Sequence, residues 1–319
     1  MKTQNKQAEM GQSEPVSHQT LADQVELFLT ACRLEGKTPD TLRSYRETLA
    51  LFLRATHEIP LPEDIGEYTS AHIYQFLGWV AATGVCANTQ LRRQRETRPF
   101  FTWLERHGHI ARNPFSKVKN IRVDQKIVQP FTREDIQKML ARRDRRTPKG
   151  GRDRALVLML LDTGMRVGEL AHTDLTDVDF EYSRVHVRHG KGKKERVVAF
   201  GRQARDALVY YIGTHRGIAP GPLIQSCPGK RLTRTTIRGI VSRLGDEAGV
   251  PGVHPHRFRH TFATWCIEQQ ARELDVQYLL GHSSSTMLRR YTATYNAEKA
   301  AQAHEMFSPG DRYTLAPTG

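Results

Sequence analysis

Apolar residues near the start of the chain recur at the spacing of an amphipathic helix. Between residues 20 and 35 they fall on one side of a helix, and Gly36 follows where such a helix would end. Thr38 and Pro39 then have the pattern of a helix N-cap followed by proline at the first helical position. A second amphipathic stretch continues from there, so the pattern predicts two helices in this part of the chain.

Two further helices are predicted next. The third starts at Thr69 or Ser70, and the fourth covers about residues 88–106. Pro99 lies inside the fourth helix, where its missing N–H predicts a kink or a break. Because no strand-like alternation occurs here, residues 18–113 are predicted to form a small bundle of four helices.

The pattern after residue 130 mixes helical and strand periodicity. Thr132 and Asp135 have the spacing of a capping box, and residues 154–161 are almost continuously apolar, as in a buried helix. Residues 183–188 and 195–200 alternate with the strand period around a turn rich in Gly and Lys. Further helices are predicted at 202–216 and 233–248. One helix is predicted to start at Pro255, one to end at Gly281, one to start near Ser285, and a last one to cover 296–307. The predicted fold class is mainly α with a small β-hairpin: an N-terminal four-helix domain and a C-terminal α+β domain spanning residues 131–307.

Three segments lack such patterns. Residues 1–17 are polar and are predicted to be a disordered lead-in. Residues 114–130, bounded by two prolines and rich in basic side chains, are predicted to be an inter-domain linker, and 308–319 a polar tail.

The charge balance favours a polyanionic partner. The 319 residues include 48 Lys and Arg against 34 Asp and Glu, a formal net charge of +14. The four cysteines are widely spaced without a C-x-x-C pair, which indicates reduced intracellular thiols. No apolar run is long enough to cross a membrane, and the N-terminus lacks the apolar core of a signal peptide. We therefore expect a cytoplasmic, nucleoid-associated protein with no membrane contact, for which nucleic acid is the favoured partner.

Basic side chains are concentrated on two of the predicted helices. The fourth helix carries Arg92, Arg93, Arg95 and Arg98, which would repel one another without a nearby anion. A DNA backbone would supply that anion, although a solvated basic face is the alternative. Arg234 and Arg238 lie on the helix at 233–248 and are also candidates to contact DNA.

The densest set of candidate functional residues lies between Val253 and Thr292. Four histidines occur there, with Arg257 and Arg259 interleaved among the first three and Tyr291 near the end. Arginine and histidine both donate hydrogen bonds to phosphate oxygens, and the start of a helix favours an anion. Taken singly, these side chains would be surface groups, caps or core residues; together they favour an anion site with a tyrosine as possible nucleophile.

The Lys-rich turn of the hairpin leaves two interpretations open. Residues 189–194 are either a solvated tip or a finger that reaches an anion. The residues alone favour neither.

Three motifs, in order and at characteristic distances, resemble those of the tyrosine recombinases, or phage integrases, especially their simple two-domain Xer-like members. The motifs are TGMRVGEL from residue 163, HPHRFRHTFAT from residue 254 and LLGHSSSTMLRRY from residue 279. The resemblance covers roughly residues 18–307.

The resemblance implies roles for particular residues. Arg166, Arg259 and His282 would bind the scissile phosphate, Tyr291 would be the nucleophile, His256 the base, and Lys191 the acid for the leaving oxygen. Glu169 would hold Arg166 and His260 would have a supporting structural role, while Lys193 and Lys194 would contact the DNA backbone. No metal or cofactor is implied.

The resemblance also implies partners. The N-terminal helical domain would clamp double-stranded DNA opposite the catalytic domain. Four copies would assemble on DNA, each docking its C-terminal helix on a neighbour, and exchange strands through a Holliday junction.

Three other functions fit parts of the sequence. A helical DNA-binding regulator without chemistry fits the charge but gives no reason for the ordered motifs, and covalent trapping on nicked DNA would exclude it. A type IB topoisomerase shares the tyrosine chemistry and would relax plasmids lacking a specific site. A zinc enzyme would use His256 and His260, four residues apart, but Arg257 and Arg259 beside them would repel a cation.

Overall fold

The computed structural model describes residues 20–123, 128–188 and 195–281. The chain divides between residues 125 and 126 into two compact units, here called the N-terminal unit and the C-terminal unit. The mainly helical fold with a small antiparallel sheet is confirmed.

The N-terminal unit contains the four predicted helices. They are α1 (Leu21–Leu34), α2 (Pro39–Glu58), α3 (Ser70–Ala82) and α4 (Ala87–Arg106). The side chain of Thr38 caps α2 by accepting from the Thr41 N–H, as its position before proline predicts. The core is aromatic: Phe52 meets Phe76 and Phe101 edge-to-face, with ring centroids 5.0 and 5.6 Å apart.

Of the kink or break predicted at Pro99, the break does not occur, because α4 continues through it to Arg106. Proline removes one backbone donor and disfavours this continuation. However, Phe100 and Phe101 directly after it are fully buried. Their packing against the other helices holds the chain in helical conformation.

The first half of the predicted linker packs onto the N-terminal unit. Pro114–Lys117 forms a 3₁₀ turn, and Phe115 and Val118 are buried in the bundle. The amide of Gln94 donates to the Lys119 carbonyl at 2.8 Å and accepts from the Ile121 N–H at 2.9 Å. A fully buried glutamine thus fixes a segment that has no periodicity of its own.

Seven α-helices are described in the C-terminal unit. They are α5 (Arg133–Ala141), α6 (Pro148–Thr163), α7 (Val167–His172), α8 (Arg202–Tyr211, extended by a π-helical turn Ile212–Arg216), α9 (Arg234–Ala248), α10 (Pro255–Glu268) and α11 (Glu273–Leu280). The α6 helix is central, and six consecutive residues of it, from Ala155 to Leu160, are buried. Gly164, Gly249 and Gly281 end α6, α9 and α11 in left-handed conformation.

Five strands are described in this unit. The antiparallel sheet is β1 (Val178–Asp179), β2 (Arg184–Val187) and β3 (Arg196–Ala199), and a separate pair is β4 (Gln225–Cys227) and β5 (Lys230–Arg231). The predicted hairpin strands are β2 and β3, with Val185 opposite Val198. Strands β1, β4 and β5 are not predicted by the sequence, because strands of two or three residues are too short to show alternation.

Candidate active site

Arg166 is positioned by a sharp turn between two helices. Gly164 ends α6 with φ of 58°, Met165 is buried, and Arg166 is the N-cap residue of α7. The Arg166 backbone N–H donates to Oε2 of Glu169 at 2.8 Å, and its Nη1 donates to Oε1 at 2.9 Å. The carboxylate one turn into α7 therefore fixes both the backbone and the guanidinium of Arg166.

Arg259 lies on α10 and is only 2% exposed. Its Nη1 donates to the Gly164 carbonyl at 2.8 Å, and its Nη2 donates to the Leu280 carbonyl at 2.6 Å. One buried guanidinium thus joins the end of α6 to the end of α11, which are far apart along the chain.

Arg196, the first residue of β3, belongs to the same cluster and was not among the predicted site residues. Its Nη1 and Nη2 donate to Oε1 and Oε2 of Glu169 at 3.0 and 2.7 Å, and its Nε donates to the Leu279 carbonyl at 2.7 Å. The sequence does carry a signal for it, because Arg196 and Val198 share the inward face of β3, where a basic residue is unusual.

The end of α11 is therefore held by arginines at three consecutive carbonyls. Leu279 accepts from Arg196 and Leu280 from Arg259, while Nη2 of Arg166 lies 3.5 Å from the Gly281 oxygen. The residue after Gly281 is His282, which lies outside the described part of the chain. The backbone that leads into the Leu-Gly-His motif is thus built into the arginine cluster.

A cavity of about 470 Å³ opens beside this cluster, at the start of α10. It is lined by Met165, Arg166, Val167, Arg238, His254, Pro255, His256 and Arg259. These side chains include three arginines and two histidines and no acid, and the positive end of the α10 dipole lies at the same place. The cavity is suited to an anion.

His256 keeps contact with solvent at the cavity, yet its pKa lies below the ordinary value. Desolvation by the surrounding protein is the main cause, followed by the positive charge of Arg259, with smaller effects from His254, His260 and Arg166. The imidazole is therefore neutral at pH 7 and able to accept a proton.

His254 and His260, which lie on either side of His256 in the sequence, have structural roles. His254 caps α10, its Nδ1 accepting from the Arg257 N–H at 3.2 Å. His260 is buried, and burial lowers its pKa more than its hydrogen bond with the Val128 backbone raises it. In residues 20–123, 128–188 and 195–281 no three His, Cys, Asp or Glu side chains are grouped as metal ligands.

The two predicted DNA-contacting residues of α9 lie near this site. Arg238 lines the cavity. Arg234 packs on α7, and its Cδ lies 3.2 Å from the position that a Cβ on Gly168 would take. Their contact with DNA stays a prediction.

The four arginines of α4 differ in what they contact. Arg93 donates to Thr48 Oγ1 at 2.7 Å, and Arg98 donates to the Val118 carbonyl at 2.9 Å with its guanidinium over the Phe115 ring. Arg92 lies 3.8 and 3.7 Å from carboxylate oxygens of Glu47 and Glu96, and Arg95 is exposed. Intramolecular acceptors thus relieve the expected repulsion, and DNA contact by these four stays a prediction.

Family models match most of the chain. The model described as the phage integrase family matches residues 129–298, and the one described as the phage integrase N-terminal SAM-like domain matches residues 25–108. The chain belongs to the phage integrase family. The resemblance of the three sequence motifs to this family is thereby confirmed.

Relatives of this phage integrase include enzymes named tyrosine recombinase XerC. The one from Oceanobacillus iheyensis is 31% identical over 277 residues, covering 84% of this chain and 90% of the relative. The one from Corynebacterium glutamicum is 30% identical over 273 residues, covering 82% and 83%. These matches favour neither the topoisomerase nor the regulator without chemistry.

Solved structures share the fold of this phage integrase. The Tn1549 transposon integrase in complex with transposon right end DNA matches with a TM-score of 0.73 at 20% identity, covering 89% of this chain and 99% of that one. A lambda integrase dimer bound to a COC' core site matches with a TM-score of 0.69 at 20% identity, covering 85% and 95%.

The structure describes only part of the predicted catalytic set of this phage integrase. It brings together Arg166, Glu169, His256, Arg259 and His260 in the C-terminal unit. The predicted residues outside the described ranges are Lys191, Lys193, Lys194, His282 and Tyr291.

Proposed function

We propose that this chain is a site-specific DNA recombinase that cuts and rejoins strands through a 3′-phosphotyrosyl link at Tyr291. Family membership and the XerC relatives support this function. The observation that carries it is the buried guanidinium of Arg259, bonded to both Gly164 and Leu280. These two bonds join the turn that positions Arg166 to the turn that precedes His282.

Phosphodiesters resist attack because their anionic oxygens repel nucleophiles, so the site must first neutralise that charge. Arg166 and Arg259 line one cavity, and planar guanidinium groups match the geometry of phosphate oxygens. We assign these two arginines to the non-bridging oxygens, with His282 adding a hydrogen bond.

The chemistry is a balanced exchange of one phosphoester for another. The Tyr291 oxygen forms a bond to phosphorus while the bond to the 5′ oxygen breaks. His256, whose lowered pKa leaves it neutral at pH 7, takes the Tyr291 proton, and Lys191 gives a proton to the departing 5′ oxygen. The 5′-hydroxyl of a second strand then reverses these steps, so the phosphoester energy is conserved in the tyrosyl link.

The proposed substrate is double-stranded DNA held by both units. Arg92, Arg93, Arg95 and Arg98, with Arg234, Arg238, Lys193 and Lys194, are the proposed backbone contacts. The lambda integrase, which has the same fold, is known as a tetramer bound to a Holliday junction. We infer a tetramer on DNA for this chain, with exchange of the C-terminal helix between neighbours.

We infer that the chain acts in the cytoplasm, in association with the nucleoid. Helices in the described ranges include none with the length and apolar character needed to cross a membrane. The chain's net charge of +14 is consistent with residence on DNA.

The decisive experiment traps the covalent intermediate. A DNA site that the protein binds is first selected from a random duplex library. A nick is then placed in this site, so that the short strand released by cleavage diffuses away. The wild type is expected to form a denaturation-resistant protein–DNA adduct, and Tyr291→Phe is expected to bind the same DNA without forming one. Tyr278→Phe is the matched control, because Tyr278 is 69% exposed on α11 and is expected to form the adduct normally. An adduct with Tyr291→Phe would refute the assignment.

A further inference from the structure

The carboxylate of Glu169 is shared unequally between two arginines. Arg196 occupies both of its oxygens, at 3.0 and 2.7 Å, whereas the side chain of Arg166 reaches only Oε1, at 2.9 Å. Glu169 and Arg196 are buried, while the side chain of Arg166 is 32% exposed and lines the cavity. The buried, bidentate pair is therefore Glu169–Arg196, and the side chain of Arg166 adds a single hydrogen bond to it.

We propose that Arg196 is a positioning residue: by filling the fork of the Glu169 carboxylate, it keeps Arg166 available for the substrate phosphate. This inference rests on the proposed function, in which Arg166 binds that phosphate. A bidentate arginine–carboxylate pair is favoured over a single hydrogen bond, more so away from water. Without Arg196, Arg166 would be drawn into both oxygens of Glu169, and its N–H groups would turn away from the cavity.

Arg196 is itself held in a fixed place. Its Nε donates to the Leu279 carbonyl at 2.7 Å. A side chain on Gly281 would begin only 3.1 Å from Nη1 and 3.2 Å from Cδ of Arg196, so the arginine lies directly against the backbone of that turn. The Nε of Arg196 is thus bonded to Leu279 while its Nη1 and Nη2 are bonded to Glu169. Moving the guanidinium away from the carboxylate would therefore also break the Leu279 hydrogen bond.

The charge state of Glu169 fits this arrangement. Burial acts to raise the pKa of its carboxyl, but the hydrogen bonds and charge of Arg196, followed by the hydrogen bonds of Arg166, outweigh burial and leave the pKa below its ordinary value. The group is thus ionised at pH 7 and would strongly attract whichever guanidinium remained if one were removed.

The test is a double-mutant cycle measured by single-turnover adduct formation. Arg196→Met keeps the aliphatic stem and is expected to slow adduct formation about ten- to a hundredfold, as when a partner that orients a reacting group is removed elsewhere. Binding of uncleaved DNA, measured in a Tyr291→Phe background, is expected to be nearly unchanged. Adding Glu169→Gln to Arg196→Met is expected to restore much of the rate, because a neutral amide holds Arg166 weakly. A double variant no faster than Arg196→Met would overturn the inference, since a purely structural role predicts no recovery.

Arg231→Met is the matched control. Arg231 also donates to two carbonyls, of Ala171 and Thr173, and to the carboxylate of Asp174, but it does not line the cavity. Its removal is expected to lower stability and leave the cleavage rate unchanged.

If Arg196→Met does not fold, Arg196→Lys replaces it in the same cycle, because lysine keeps the charge and covers one oxygen only. Rate recovery on adding Glu169→Gln is again expected, and its failure again overturns the inference. A wild-type chain that forms no adduct on its selected site would refute the proposed function instead, so the two failures are distinct.

Discussion

Gly164→Ala tests whether the turn before Arg166 admits any side chain. Gly164 has φ of 58° and ψ of 15°, a left-handed conformation that costs other residues about 1–2 kcal/mol. A Cβ placed there would lie 2.4 Å from Cδ1 of Phe262 and 3.0 Å from Cδ2 of Leu280. Both neighbours are buried, so one of them or the backbone must move.

The expected loss of stability has two parts. Overpacking of a tight core costs about 1–3 kcal/mol, which with the backbone strain gives about 2–5 kcal/mol in the free energy of unfolding. Since whole proteins are stable by about 5–15 kcal/mol, this is a large fraction. The Gly164 carbonyl also accepts from Arg259, so adduct formation is expected to fall with it.

Gly249→Ala is the matched control. Gly249 ends α9 with φ of 68° and ψ of 26°, also left-handed, and a Cβ there would meet nothing within 4 Å. Only the backbone strain, about 1–2 kcal/mol, is expected, with adduct formation unchanged. Urea unfolding followed by circular dichroism, with hydrogen exchange assigning the change to the C-terminal unit, measures both variants. Equal losses in the two would refute the packing argument.

Two further predictions concern pH and the N-terminal unit. His254, His256 and His260 all have pKa values below 6.5, chiefly because of desolvation. Below pH 6.5 the unfolded chain therefore binds more protons than the folded chain. The stability that these three groups contribute is therefore fully present above pH 6.5 and is lost as the pH falls through the lowered pKa values. Urea unfolding from about pH 7.5 to about pH 5.5 is expected to show a flatter dependence of stability on pH in His256→Asn, and an unchanged slope would contradict the role of this group. In the N-terminal unit, Glu96 accepts hydrogen bonds from Ser44 and Thr48 and is paired with Arg92 and Arg93, so Glu96→Ala is expected to cost about 1–3 kcal/mol in thermal unfolding. Glu47→Ala, which removes a single exposed pair at 3.8 Å, is expected to change little, and a comparable loss would contradict the importance of the half-buried network around Glu96.

Local rules predicted the helices well because the signals lie within a few residues of each boundary. Thr38, Thr132 and Thr233 accept hydrogen bonds from backbone N–H groups three residues on, and Gly164 and Gly281 end their helices in the left-handed conformation. A cap depends on one side chain and the first turn after it, so the sequence contains all that is needed.

Contacts between distant segments were not predictable in this way. Pro99 favours a break, yet the buried phenylalanines after it keep α4 continuous. Residues 114–121 lack periodicity, yet the side chain of Gln94 fixes their backbone to α4. In both cases, the packing of parts far apart in sequence outweighs the local preference.

The sequence alone determined the family and the order of the helices, because motif spacing and helical period are properties of the chain itself. It also predicted Arg166, His256 and Arg259 as site residues, and the three line one cavity. Only the tertiary structure decided that Arg196 shares Glu169 with Arg166, and that three arginines hold the three carbonyls before His282. A buried carboxylate must be paired and a helix end must have its carbonyls satisfied, but which arginine does so depends on which segments the fold brings together.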